Sequence, residues 1–143
     1  MTNLPTGADE RASFAAYENA GGVLQDYLDG ARAGDVVLMR RAFRESARIC
    51  GTYGGKLVDW SLEEFCALIA KGGPAPTLPA AIVGSEISGT AGNARVEIND
   101  WRGTRYTDLF LLCNDGGWRI TSKLFSLIRA LEGVRRKVPD ARP

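Results

Sequence analysis

The sequence predicts an α+β domain: a cone-shaped, curved antiparallel β-sheet with three helices packed on its concave face. Three observations carry that expectation. Apolar residues recur at helical spacing in the first half of the chain, they alternate with a period of two in the second half, and a helix-capping signal lies between the halves. The whole of residues 1–143 reads as one domain, since a chain of this length buries enough surface for a single core without staples.

Taken in order, residues 1–12 are polar with Pro5 and Gly7 and read as a loose end, as do residues 138–143. In residues 20–33, Val23, Leu24, Tyr27, Leu28 and Ala31 fall on one helical face, and Gly30 and Gly34 mark its end. Asp35 caps a second helix, expected from 36 to about 47, with Val36, Met39, Ala42 and Phe43 sharing a face. A short β segment over 47–53, a Gly54-Gly55 turn and a second segment over 56–59 follow. Ser61 and Glu64 form a capping box for a third helix over 62–71 that buries Phe65, Leu68 and Ile69, and Gly72-Gly73-Pro74 stops it. Residues 81–88, 94–99, 105–113 and 118–125 then read as strands of a meander.

The last two strands are the most informative. Asp115-Gly116 is the dipeptide of a two-residue type I′ turn, because both central residues need positive φ. Counting outward from it pairs Cys113 with Trp118, Leu111 with Ile120 and Asp108 with Lys123. One face then holds Tyr106, Asp108, Phe110, Lys123 and Phe125. The other holds Leu109, Leu111, Trp118, Ile120 and Leu124, is more apolar, and is expected to meet the helices.

Composition narrows the functional classes. Lys and Arg number 18 against 17 Asp and Glu, so no field of one sign gathers phosphate backbones, and a nucleic-acid partner is not expected. The basic stretch Arg129, Arg135, Arg136, Lys137 lacks interleaved aromatics and does not change that. With no histidine and three scattered cysteines, Cys50, Cys66 and Cys113, neither a metal site nor a disulfide framework is expected. No GxGxxG or phosphate loop is present, and no cofactor is expected. The N-terminal segment has no apolar signal core and no apolar run approaches the roughly 18 residues a membrane span needs, so the expectation is a cytoplasmic protein without a membrane partner.

Four segments carry a family resemblance: YLDGARAGDVVLMRRAF at 27–43, GGKLVDWSLEEFCALI at 54–69, IVGSEISGTAGNARVEI at 82–98 and YTDLFLLCNDGGWRITSKLF at 106–125. In this order they resemble the putative lumazine-binding family of the nuclear-transport-factor-like superfamily, the cone fold shared with ketosteroid isomerases and polyketide cyclases. One position departs from the pattern, which often has His-Pro after the phenylalanine of the second helix; here Arg44-Glu45 follows Phe43. The resemblance implies the fold, a pocket between helices and sheet, and pairing of subunits through the outer face of the sheet.

On that basis the expected function is binding of a small apolar or aromatic molecule by a homodimer, with Tyr27, Phe43, Tyr53, Trp60 and Trp118 as ligand-binding residues. Tyr106, Asp108, Phe110, Lys123 and Phe125 are the expected dimer interface, with a catalytic role for the Asp108–Lys123 pair as the less favoured alternative. A cofactor-free enzyme of the isomerase, cyclase or dehydratase type, acting next to a carbonyl, is the alternative, and a protein-association domain a third. An enzyme needs a carboxyl group in an apolar cavity. Asp59 is the candidate by sequence, although a polar residue two positions before an N-cap is ordinary helix-start chemistry.

Overall fold

The computed structural model describes residues 7–131. Its order is α1 (Gly7–Ala33), α2 (Val36–Ala42), β1 (Phe43–Tyr53), β2 (Lys56–Ser61), α3 (Leu62–Gly72), β3 (Ala80–Ser88), β4 (Ala91–Trp101), β5 (Thr104–Asn114) and β6 (Trp118–Ala130). The six strands form one mixed, curved and unclosed sheet in the order β2-β1-β6-β5-β4-β3. Neighbouring strands are antiparallel except β1 and β6, which run parallel. The expected small β pair is therefore not separate from the meander but joined to it through β6. Helix α1 begins at Gly7, inside the segment expected to be loose; residues 1–6 and 138–143, and the basic positions 135–137, lie outside the described residues.

Local signals explain most boundaries. Asp35 accepts hydrogen bonds from the backbone N–H groups of Val37 and Leu38, which starts α2. Yet α2 has only seven residues, because Phe43 is already extended and begins β1. The expected continuation to residue 47 fails for a tertiary reason: residues 43–53 gain two strand neighbours, β2 and β6, and that pairing outweighs a weak helical preference. The Ser61 box is present in both directions, with Ser61 accepting from the Glu64 N–H and Glu64 accepting from the Ser61 N–H.

The core lies between the helices and the concave face of the sheet. Leu24, Tyr27, Leu28 and Ala31 of α1 and Met39 of α2 pack over Ile49, Val96, Ile98, Phe110 and Ile120. Gly51 sits in β1 with its α-carbon turned to β6: a Cβ there would lie 2.6 Å from the Phe125 ring. Only glycine leaves that ring its place, and the ring is part of the site described next.

The β5–β6 hairpin corrects the sequence reading. Asn114 pairs with Trp118, so the loop has three residues, Asp115, Gly116 and Gly117, with φ of 69° and 140° at the glycines. Asn114 Oδ1 accepts from the Gly117 N–H. Further along, Leu112 pairs with Ile120 but Leu111 pairs with Ser122, which leaves Thr121 as a bulge. The bulge inverts the alternation of β6: Trp118 and Ile120 point inward before it, Lys123 and Phe125 after it. Phe110 is opposite Lys123, and Asp108 is opposite Phe125.

Hence the face expected to be outward is inward. Asp108, Phe110, Lys123 and Phe125 are buried, Tyr106 is half-buried against the core, and none of the five forms an outer surface. Leu109, Leu111 and Leu124, expected under the helices, are exposed instead. Counting apolar residues chose the wrong face because the interior here admits a polar pair.

Candidate functional site

Three elements bring one polar side chain each to the interior. Tyr27 comes from the buried face of α1, Asp108 from β5 and Lys123 from β6, and the Thr121 bulge turns Lys123 to the side of Asp108. The Tyr27 hydroxyl donates to Asp108 Oδ2 at 2.9 Å and accepts from Lys123 Nζ at 2.7 Å. Lys123 Nζ lies 3.6 Å from Asp108 Oδ2, with side-chain exposures of 4% and 1%. Such burial makes this pair different in kind from the surface ion pairs Arg48 with Asp59 and Arg44 with Asp115, which solvent screens.

Aromatic rings surround the ammonium. Lys123 Nζ is 4.5 Å from the Phe65 ring centroid and 4.9 Å from that of Tyr27, with Trp101 and Phe125 each at 5.5 Å. Trp60 stacks on Phe125 at 5.6 Å, and Phe125 meets Tyr106 edge-on. The rings offset part of the hydration that Lys123 has lost. Arg102, at the β4–β5 turn with φ of 54°, donates to the Gly73 carbonyl and so ties the turn that carries Trp101 to the end of α3.

A cavity of about 70 Å³ opens beside this cluster, lined by Tyr53, Trp60, Phe65 and Leu68 on one side and by Trp101, Tyr106, Asp108, Lys123 and Phe125 on the other. Its lining is aromatic, and its charged groups are Asp108 and Lys123. The indole N–H of Trp60 is buried and has no hydrogen-bond partner among the described residues.

Burial sets the ionisation of all three groups. It raises the Asp108 carboxyl above its ordinary range, with the Lys123 charge and the Tyr27 hydrogen bond opposing. Burial also lowers the Lys123 ammonium, opposed by Asp108. Tyr27 is raised well above its usual value, first by burial and then by the Asp108 charge, so it remains a phenol. The cluster thus holds a carboxyl inclined to keep a proton, an amine inclined to lose one, and a hydroxyl bonded to both. Strongly perturbed, facing acid and amine groups beside a cavity are a feature shared with acid–base sites.

The structure distributes the residues expected from the sequence as follows. Tyr53 and Trp60 line the cavity, and Tyr27 stands behind it as the bridge between Asp108 and Lys123. Phe43 meets Tyr27 edge-on and Phe65 at a tilt but lines a different, open groove beside Arg40, Arg41, Arg44 and Arg119. Trp118 is buried at the start of β6, beside Gly92, and does not line the cavity. Asp59 is on the outer side of β2, bonded to Arg48 and to the Cys50 thiol, and those bonds hold its carboxyl below the usual range, the opposite of what an apolar-cavity acid requires. The sequence does not mark Phe65, Leu68 and Trp101 as pocket residues, and for Asp108 and Lys123 it favours an interface over a catalytic role. The only signal available was the co-facing of Asp108 and Lys123, which the register supplied with the wrong side attached.

The three helices and the six-stranded, curved, unclosed sheet are the fold of the nuclear-transport-factor-like superfamily. Within it, residues 15–126 match the family described as putative lumazine-binding, and the chain belongs to that family. It is similar to a crystal structure of an NTF2-like protein of unknown function from Shewanella baltica, at 31% identity and a TM-score of 0.76, covering 89% of this chain and 100% of that one. A second NTF2-like protein of unknown function, from Methylobacillus flagellatus, is 32% identical with a TM-score of 0.76, covering 80% of this chain and 94% of the other. A ketosteroid isomerase-like protein from Erwinia carotovora atroseptica shares the fold at 15% identity, with a TM-score of 0.60 over 78% of this chain and 95% of its own. No curated protein matches the chain. Among the described residues no helix is long and apolar enough to cross a membrane.

Proposed function

We propose that the cavity binds a small, uncharged carbonyl compound and that Asp108 and Lys123, bridged by Tyr27, move a proton at the carbon next to that carbonyl. The observation that carries this reading is the buried Tyr27, Asp108, Lys123 cluster at the cavity wall, since a carboxyl kept from water and an amine beside it supply both acid and base without a cofactor. At about 70 Å³ the space suits a compact ligand, well under the roughly 300–1,000 Å³ of drug-sized sites. The aromatic walls supply apolar contact, and Asp108 and Lys123 supply polar contacts that orient such a ligand. The working unit in this reading is a homodimer paired through the exposed leucines of β5 and β6.

The three tryptophans provide the test. In a protein NMR titration with small ketones, the indole signals of Trp60 and Trp101 should shift while that of Trp118 stays in place. Absence of any shift across the ketone series, or an equal shift at Trp118, would remove the cavity as the binding site.

A further inference from the structure

The amine of Lys123 has an environment that proton transfer alone does not require. Its side chain is buried, it faces a cavity, and its Nζ is within reach of a carboxyl and a phenol but of no second cation among the described residues. The lysines Lys56 and Lys71, by contrast, are exposed on the surface. We infer that Lys123 is a covalent site, an amine that condenses with a small ketone or aldehyde in the cavity to form an imine. This rests on the carbonyl-binding reading above and deepens it.

Desolvation in an apolar pocket is one of the ways a lysine is made nucleophilic, because the neutral amine is the attacking species. The step balances with the groups present. The uncharged Nζ adds to the carbonyl carbon; the C–N bond forms, the C=O π pair goes to oxygen, and a proton passes from nitrogen to that oxygen, giving a carbinolamine. Asp108, as the carboxylic acid, gives its proton to the hydroxyl, which leaves as water while the nitrogen lone pair forms the protonated imine. Asp108 is then a carboxylate beside an iminium, and it takes the proton from the adjacent carbon to give an enamine. Its acid form is restored, and the proton it gave up has left in the water. Tyr27 is a positioning residue: it holds Asp108 and Lys123 by one hydrogen bond each and touches neither reacting carbon.

Burial shifts the Asp108 carboxyl upward and the Lys123 amine downward, the directions that enlarge the share of acid and of free amine from which this sequence starts. Phe65, Trp101 and Phe125, within 5.5 Å of Nζ, also line the cavity, so a ketone that reaches the amine lies against apolar rings.

The experiment is reductive trapping. The folded protein is incubated near neutral pH with acetone or cyclopentanone and sodium cyanoborohydride, digested, and mapped by mass spectrometry, with the tryptophan NMR titration run on the same ketone. The expected result is one alkyl group on Lys123, in about tenfold excess over Lys56 and Lys71, as a desolvated amine against ordinary ones. Its yield should rise with a midpoint below the roughly 10.4 of an ordinary lysine. Alkylation confined to Lys56 and Lys71 while Trp60 and Trp101 still shift would overturn the imine and leave the binding reading standing. Loss of both the shifts and the Lys123 adduct would overturn both. Lys123→Met should abolish the adduct, and the wild-type map decides the question even if that variant does not fold.

Discussion

Replacing Lys123 with Met leaves the Asp108 carboxyl buried with the Tyr27 hydroxyl as its partner. Breaking a buried pair by removing one member costs about 3–5 kcal/mol, because the remaining charge has no compensation. Met fits the path of the lysine stem and keeps contact with the rings, so the loss is electrostatic rather than a cavity effect. With an unfolding entropy of about 2.1 cal/mol/K per residue, 143 residues give about 3 °C in Tm per kcal/mol, and the expected fall is about 10–15 °C near neutral pH. The sign with pH is specific. Asp108 has a raised folded pKa, so its contribution is present below the unfolded value of about 3.9 and is lost as pH rises through the folded one. The deficit of Lys123→Met should shrink toward acid. Asp108→Asn leaves Lys123, whose folded pKa is lowered; its contribution is present above about 10.4 and is lost as pH falls through the folded value, so that deficit should shrink toward alkali. The double variant should be more stable than either single one, since a neutral replacement of both partners is often tolerated. Calorimetric melts of all four proteins at pH 5 and pH 9 read these differences. Single variants that both lose less than about 1 kcal/mol, or two deficits that run the same way with pH, would refute the reasoning.

Further outcomes follow from the packing. Gly51→Ala should lower stability by about 1–3 kcal/mol, because the added methyl meets the Phe125 ring, and it should also weaken ketone binding, as read by a thermal melt and the NMR titration. Trp118→Ala should cost about 3–5 kcal/mol yet leave the ketone-induced shifts of Trp60 and Trp101 intact, whereas Trp60→Ala should abolish ketone binding; the pair is compared by melts and titrations. Leu111→Glu, on the exposed face of β5, should convert a dimer to a monomer by light scattering with little change in the cavity shifts.

Much of the fold is legible in the sequence because local signals and tertiary packing agree there. Asp35 and the Ser61–Glu64 box start their helices as the residue types dictate, and much of β4 and β5, with β6 on either side of its bulge, follows a two-residue period. The first strand is not legible in full, since nothing in Phe43-Arg44-Glu45-Ser46 announces that β6 will lie alongside it in parallel. The site is less legible still. Asp108 and Lys123 share a face, as alternation suggests, but the three-residue loop and the Thr121 bulge reset the register, and neither leaves a distinctive residue pattern. The assumption that the more apolar face meets the helices then placed the pair outside. It fails wherever a polar cluster is buried for function, because such a cluster makes the inner face look like an outer one. Trp118 misled for a related reason: a buried tryptophan is core or pocket according to its position along the strand, which sequence spacing does not give.

The central claim is that Asp108 and Lys123 act on the carbon next to a carbonyl held in the cavity. Exchange of that carbon's protons for deuterium measures it without knowledge of the natural substrate. Wild-type protein in D₂O with small ketones should accelerate deuterium uptake, followed by proton NMR, and Asp108→Asn should lose the acceleration at mildly alkaline pH, where that variant is most stable and a melt verifies its fold. A wild-type protein that binds the ketones and exchanges no protons above the buffer rate, or a folded Asp108→Asn variant that exchanges them as fast as wild type, would contradict the account.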